Sequence, residues 1–127
     1  MVSEAMDAAK SLADDGVDAE VIDIHTIKPL DEKAIIESAK KTGLVVTAEE
    51  HSVIGGLGGA VAELLSRELP TKMAMVGQQD TFGESGKPDE LKEKYGMTAK
   101  HIVEAVKKIC KYVKSKFPLR LCCKGIF

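Results

Sequence analysis

Several features that would place this sequence in a specialised class of protein are absent. No run of about 18 apolar residues occurs, so no membrane-spanning helix is predicted. The N-terminal residues MVSEAMDAAK have neither the basic start nor the apolar stretch of a secretory signal. These absences predict a cytoplasmic protein without a membrane partner.

Cysteine is sparse and shows no metal-binding spacing. The chain has 3 cysteines, an odd number, and none of them forms a C-x-x-C pair. The adjacent Cys122 and Cys123 lie in a segment that offers no further metal ligands. We therefore expect reduced thiols and assign no metal ligand.

The net charge is small, aromatic residues are few at 4%, and the charged residues are unevenly placed along the chain. A net charge of −2, without a basic stripe interleaved with aromatics, argues against a nucleic-acid partner. With 127 residues and 44% hydrophobic side chains, one domain is expected. We divide the chain into a domain over residues 1–116 and an atypical basic tail over 117–127. All charged residues after Cys110 are basic: Lys111, Lys114, Lys116, Arg120 and Lys124.

Helical and strand patterns alternate along the chain. Helices are predicted to begin near residues 2, 31, 57, 88 and 98, and strands to cover 19–24, 44–48 and 72–76. Gly16 and Gly43 suit left-handed helix ends, whereas Asp31 and Thr98 suit helix starts. Pro88 suits the first turn of a short helix.

This alternation predicts an α/β fold with three layers, in which helices cover both faces of a mostly parallel sheet. A parallel sheet normally opens with a strand, yet the first element here is a helix. We therefore expect the first strand of the sheet to be missing from this sequence.

Two glycine-containing segments partly match the patterns of nucleotide-binding loops. Glycines between a strand and a helix can cradle phosphate, but Val61 stands where the dinucleotide pattern requires its third glycine. The segment GESGKP fails the P-loop pattern, because Thr81 and Pro88 replace a glycine and a hydroxyl residue. Close packing of the helix on the strand is the preferred interpretation for the first segment, with phosphate binding as the alternative.

Two acids and a histidine follow the predicted central strand, where α/β sheets usually place ligand sites. Such a group could supply a general base or part of a metal site. His25 and His101 are isolated, however, and no second cluster supports either role. We assign no catalytic, cofactor-binding or metal-binding residue, and predict an interface or regulatory loop formed by Glu49, Glu50, His51, Gly55, Gly56 and Gly58.

Several segments together resemble the C-terminal domain of transketolase and its thiamine diphosphate-dependent relatives. They include TIKPLDEKAI over 26–35, VVTAEEHSVIGGLGGAVAELL over 45–65 and VGQQDTFGESGKPDELKEKYGMTAKHIVEAV over 76–106. The resemblance runs from Met1 to about Val113, and the tail from Phe117 has no counterpart. TIKPLD and SGKP are more similar to transketolase than to deoxyxylulose-phosphate synthase or 2-oxo acid dehydrogenase beta subunits.

The resemblance implies a five-stranded mixed sheet and a role in a transferase of the pentose phosphate pathway. In that family, two preceding domains bind thiamine diphosphate and magnesium, and the enzyme moves a two-carbon ketol unit between sugar phosphates. The C-terminal domain supports the dimer and has been proposed as a regulatory ligand site. We therefore expect no cofactor on this chain, no activity in isolation, and two partners: the catalytic domains or subunit, and a second copy.

Two alternatives remain open at this point. The chain could be the C-terminal domain of deoxyxylulose-phosphate synthase or of a 2-oxo acid dehydrogenase beta subunit. It could instead be a free-standing regulatory or small-ligand-binding α/β module, with the segment 49–59 as its site.

Overall fold

The computed structural model describes residues 1–112 and 122–123. The domain boundary predicted at residue 116 lies outside these residues. The helices are α1 (Val2–Asp14), α2 (Glu32–Thr42), α3 (Leu57–Glu68), α4 (Pro88–Lys94) and α5 (Ala99–Tyr112). The strands are β1 (Glu20–Val21), β2 (Leu44–Ser52), β3 (Lys72–Gln78) and β4 (Cys122–Cys123).

Local chemistry places four of the helix boundaries where the sequence predicts them. Gly16 and Gly43 follow α1 and α2 with φ angles of 78° and 69°, in the left-handed region that favours glycine. The Asp31 side chain accepts a hydrogen bond from the Ala34 amide at 3.1 Å, which caps α2. Pro88 is the first residue of α4.

Strand β2 separates two apolar layers because its side chains alternate between the faces of the sheet. Leu44, Val46 and Ala48 pack in the cluster that contains the buried residues of α1 and α5. Val45 packs in the cluster on the opposite face, with the buried apolar residues of α2 and α3. The three-layer α/β/α prediction is therefore confirmed.

Both strand pairings among the described residues are parallel, as predicted. Strands β2 and β3 are in continuous register from Leu44 opposite Lys72 to Ala48 opposite Val76. The register then shifts, and Ser52 lies opposite Gln78. The second pair joins β1 to β4, a short strand that the sequence analysis does not predict.

All three predicted strands differ from the prediction in length, and β3, predicted over 72–76, continues to Gln78. Strand β1 covers only Glu20–Val21, because the described residues provide just the two residues of β4 as its backbone partner. The prediction that β2 ends at Ala48 is wrong, since the strand continues to Ser52. Gly77 permits this extension because it has no Cβ atom. A Cβ atom at this position would lie 2.8 Å from the His51 carbonyl oxygen, too close for the two strands to pair.

The start of α5 depends on α1 as well as on its own sequence. The Thr98 carbonyl oxygen accepts a hydrogen bond from the Ile102 amide. The Thr98 hydroxyl, however, forms its hydrogen bond with Nδ1 of His101, at 2.8 Å. The Ala99 amide instead donates to the Glu4 carboxylate at 2.8 Å. The side-chain cap predicted for Thr98 is therefore not formed, and a carboxylate 95 positions away in the chain binds the first amide of the helix.

Candidate functional site

Glu49 reaches the start of α3 because of the alternation along β2. Val45, Thr47 and Glu49 occupy every second position of this strand, so their side chains share the face that α3 covers. Glu49 is only 3% exposed. The strand therefore carries a carboxylate into the interior beneath the glycine-rich turn.

The Glu49 carboxylate binds two backbone amides in the first turn of α3. Leu57 N donates to Oε2 at 2.8 Å, and Gly58 N donates to Oε1 at 2.9 Å. Gly56 stands at the N-cap position and has no side chain to accept these hydrogen bonds. A negative charge is also favoured there by the helix dipole. Glu49 thus supplies, from a neighbouring strand, the cap that the helix lacks locally.

Two glycines make this arrangement sterically possible. A Cβ atom on Gly56 would lie 2.2 Å from Oε2 of Glu49 and 2.8 Å from the Ser52 carbonyl oxygen. A Cβ atom on Gly58 would lie 2.7 Å from Sδ of Met75. The preferred interpretation of this segment, close packing of the helix on the strand, agrees with these contacts. Gly55 has a φ of 74°, a backbone conformation that favours glycine.

Glu50 and His51, the next residues of β2, are exposed, and hydrogen bonds hold the turn that follows Ser52. Nδ1 of the exposed His51 lies 2.9 Å from the Ser52 carbonyl oxygen, which it reaches as a donor. The Ile54 amide donates to Oγ of Ser52 at 3.2 Å, and the Val53 amide donates to the Gln78 carbonyl at 3.0 Å. Glu50 is exposed. The turn is therefore ordered by hydrogen bonds, while the side chains of Glu50, His51 and Ile54 remain exposed.

The structure divides the predicted loop into an inner and an outer group. Glu49, Gly56 and Gly58 meet at the start of α3, whereas Glu50 and His51 face solvent. Among residues 1–112 and 122–123, no group of three or more histidine, cysteine or acidic side chains could hold a metal ion. No helix in that part of the chain is long and apolar enough to cross a membrane.

Thr47 is a buried polar residue that sequence reasoning did not single out. It is 2% exposed, and its hydroxyl has no hydrogen-bond partner among the described residues. The signal that could have found it is the alternation in LVVTAEE, which places Thr47 and Glu49 on the same face as Val45. A buried hydroxyl without a hydrogen-bond partner lowers the free energy of unfolding, so Thr47 makes this core less stable than an apolar side chain of the same shape would.

Comparison with known proteins identifies the family. The family model for the transketolase C-terminal domain matches residues 1–102. This chain belongs to the transketolase C-terminal domain family. The resemblance found in the sequence is therefore confirmed.

Relatives and a solved structure agree with this assignment. The chain is 55% identical over 109 residues to the 6-deoxy-6-sulfo-D-fructose transketolase subunit SqwH of Clostridium sp. (strain MSTE9), covering 86% of this chain and 34% of the relative. It is 42% identical over 105 residues to the 1-deoxy-D-xylulose-5-phosphate synthase of Desulforudis audaxviator (strain MP104C), covering 81% and 17%. A solved structure described as "Split gene transketolase, inactive beta4 tetramer" matches with a TM-score of 0.81 and 54% identity, covering 84% of this chain and 35% of that one. The chain thus spans about a third of the length of the transketolase relatives it matches.

The start of α3 in this transketolase C-terminal domain does not fit the diphosphate group of thiamine diphosphate. The amides of Leu57 and Gly58, which could cradle a phosphate at the start of α3, already donate to Glu49. Placing a diphosphate there would set its negative charge against a buried carboxylate. No step of cofactor chemistry is therefore assigned to these residues.

Proposed function

We propose that this chain serves as the C-terminal section of a transketolase, which transfers a two-carbon ketol unit between sugar phosphates. In this proposal, thiamine diphosphate and magnesium bind to other domains of the enzyme, and this domain supports assembly. The 55% identity to a transketolase subunit carries the choice of enzyme, and the internal cap at α3 supports the assembly role of this domain. Because Glu49 occupies the amides that would bind an anion, the turn is built as a scaffold and not as a phosphate site.

The outer side chains of the turn are proposed to contact a partner. Glu50, His51 and Ile54 project from a segment whose two ends are tied down by Glu49 and Gln78. A surface that is rigid before binding loses less conformational entropy when a partner docks. The solved relative described as a beta4 tetramer, of which this chain covers 35%, supports assembly between chains that contain this type of domain. We therefore propose that this chain forms a homo-oligomer, with a dimer as its basic unit.

The two alternatives from the sequence are weighed by the same observations. The synthase alternative is supported by 42% identity, against 55% for the transketolase subunit, so transketolase is preferred. A regulatory module with an anionic ligand would need free amide donors at the start of α3. The amides of Leu57 and Gly58 already donate hydrogen bonds to Glu49, so the scaffold function is preferred.

Reconstitution tests the proposed function directly. The full chain is assayed alone and together with the cofactor-binding part of a transketolase from the same source, with a ketose phosphate donor and an aldose phosphate acceptor. We expect ketol transfer only in the mixture supplied with thiamine diphosphate and magnesium. Saturable binding of the cofactor to the chain alone at micromolar concentration, measured by titration calorimetry, would contradict the scaffold function.

The His51→Ala variant separates an interface role from proton transfer. In the reconstituted enzyme, we expect turnover to fall by less than about tenfold, because His51 is exposed and its ring, among the described residues, bonds to the Ser52 carbonyl oxygen. General acid–base catalysis contributes about 10²-fold or more, so a loss of that size with unchanged assembly would place proton transfer at His51. The exposed His25, changed to alanine, is the control.

A further inference from the structure

Strands β1 and β2 belong to one sheet although they are not hydrogen-bonded to each other. Among the described residues, β1 pairs with β4, and β2 pairs with β3. Val21 of β1 packs in the same apolar cluster as Val46 of β2. Ile22, the next residue, packs in the opposite cluster with Val45. Because side chains of a strand alternate between the two faces of its sheet, β1 and β2 lie in the same layer. We define the space between these two strands as the β1–β2 gap.

Strand β4 lies in this gap. Cys122 is opposite Glu20 and Cys123 is opposite Val21, in a parallel pairing with β1. The Cα atoms of β4 also approach those of β2 to within 8 Å. Neighbouring strands lie about 4.8 Å apart, so a second-neighbour strand lies at nearly twice that distance, about 9.6 Å. Strand β4 is therefore an immediate neighbour of β2 as well as of β1.

The edge of β2 that faces β4 carries buried backbone groups. Residues 45–48 are at most 2% exposed. Their other edge is paired with β3 in continuous register. Within residues 1–112 and 122–123, no strand is hydrogen-bonded to the edge that faces the β1–β2 gap. Buried backbone N–H and C=O groups need hydrogen-bond partners, so this edge is complementary to a second extended backbone.

The surroundings of the β1–β2 gap define the kind of strand that fits it. Buried apolar residues of α1 and α5 cover one face of the sheet, and those of α2 and α3 cover the other. The Cα atoms of α2 come within 8 Å of those of β4. A strand covered on both faces is typically a short, near-continuous apolar run. The gap therefore suits one extended segment whose side chains are apolar on both faces.

We propose that the β1–β2 gap is a binding site for one extended apolar strand, and that β4 of the same chain occupies it by hydrogen-bonding to β2 as well as to β1. The order of the completed sheet is then β1-β4-β2-β3. Two residues that the sequence analysis assigns to an atypical tail become part of an interior strand. This inference does not depend on the proposed function, because it concerns how the domain completes its own sheet.

Amide hydrogen exchange of the full chain, followed by NMR, tests the proposal. Successive amides of a strand point to opposite edges, so the amides of Cys122 and Cys123 face different neighbours. An interior strand protects both, and we expect each to exchange at least about 100-fold more slowly than in an unstructured peptide. Protection of only one amide would make β4 an edge strand, and protection of neither would leave the gap without this occupant. Either result would overturn the proposal.

The same exchange measurement distinguishes an occupant from the same chain from one supplied by another copy. It is repeated at two protein concentrations that differ about tenfold. Pairing within one chain does not depend on concentration, so we expect equal protection in both samples. Protection that increases with concentration would assign the occupying strand to another copy and overturn the proposal as stated.

Proline substitution provides a second test, with alanine variants as matched controls. Cys122→Pro and Cys123→Pro each remove one backbone N–H, whereas Cys122→Ala and Cys123→Ala keep it. We expect the thermal unfolding midpoint of each proline variant to lie at least about 5 °C below that of its alanine counterpart. An edge strand tolerates proline where its N–H faces solvent, so a loss at only one position would contradict an interior strand. Equal midpoints of the proline and alanine variants would overturn the proposal. If a proline variant does not fold, exchange in the unmodified chain decides.

Discussion

The Glu49→Ala variant tests the central feature of the structure, the cap that β2 provides for α3. The change removes a buried carboxylate that accepts hydrogen bonds from Leu57 N at 2.8 Å and from Gly58 N at 2.9 Å. Hydrogen bonds to charged groups each contribute about 1.5–3 kcal/mol, and buried amides left without acceptors add a cost. Some relaxation of the first turn toward water will recover part of this energy. We expect the free energy of unfolding to fall by about 3 kcal/mol.

The assay is urea unfolding followed by circular dichroism, with two further variants for comparison. Glu49→Gln keeps one acceptor oxygen, so we expect roughly half of the loss, about 1.5 kcal/mol. Glu50→Ala removes the adjacent but exposed acid and should change the free energy of unfolding by less than about 0.5 kcal/mol. If Glu49→Ala is no more destabilising than Glu50→Ala, the carboxylate does not cap α3 and the scaffold argument fails.

Three other predictions test the packing of the domain. Gly58→Ala should destabilise the domain by about 1–3 kcal/mol, because its Cβ atom would meet the Met75 side chain. A Cβ atom on Gly59 would have nothing within 4 Å, so Gly59→Ala should stabilise α3 by about 0.5–1 kcal/mol. Equal effects of the two changes in urea unfolding would contradict the close contact at Gly58. Thr47→Val should leave stability unchanged or raise it by up to about 1 kcal/mol, since the buried hydroxyl has no partner among the described residues; a clear loss would show that it has one. Burial raises the pKa of the Cys110 thiol, so its thiolate fraction at pH 8 is reduced, and mass spectrometry should show alkylation that is slower in the folded chain than in denaturant.

Much of the local structure follows from residues that act on their immediate neighbours. Gly16 and Gly43 end helices because they adopt positive φ angles, and Asp31 begins one because its carboxylate reaches an amide three residues later. The alternation of helical and strand patterns then predicts three layers, since each apolar face must be buried against another element. These interactions span a few residues, so the order of residue types determines them.

The lengths of the strands were not predictable in this way. Strand β2 extends past Ala48 because Gly77, on a neighbouring strand, lets the backbone of His51 approach closely. Strand β1 is short because its backbone partner, β4, has two residues. A strand exists only where a partner backbone accepts and donates hydrogen bonds, and that partner lies far away in the sequence.

The candidate site was likewise predictable only in part from the sequence. The sequence by itself determined which residues were candidates for a functional site. They are an acidic pair and a histidine at the end of a central strand, followed by glycines before a helix. Only the tertiary structure decided that Glu49 is buried as a helix cap while Glu50 and His51 face solvent. The physical reason is that a cap from another element depends on where the helix start meets the strand, and burial depends on which segments cover a side chain. Both are properties of the packed chain and not of neighbouring residues.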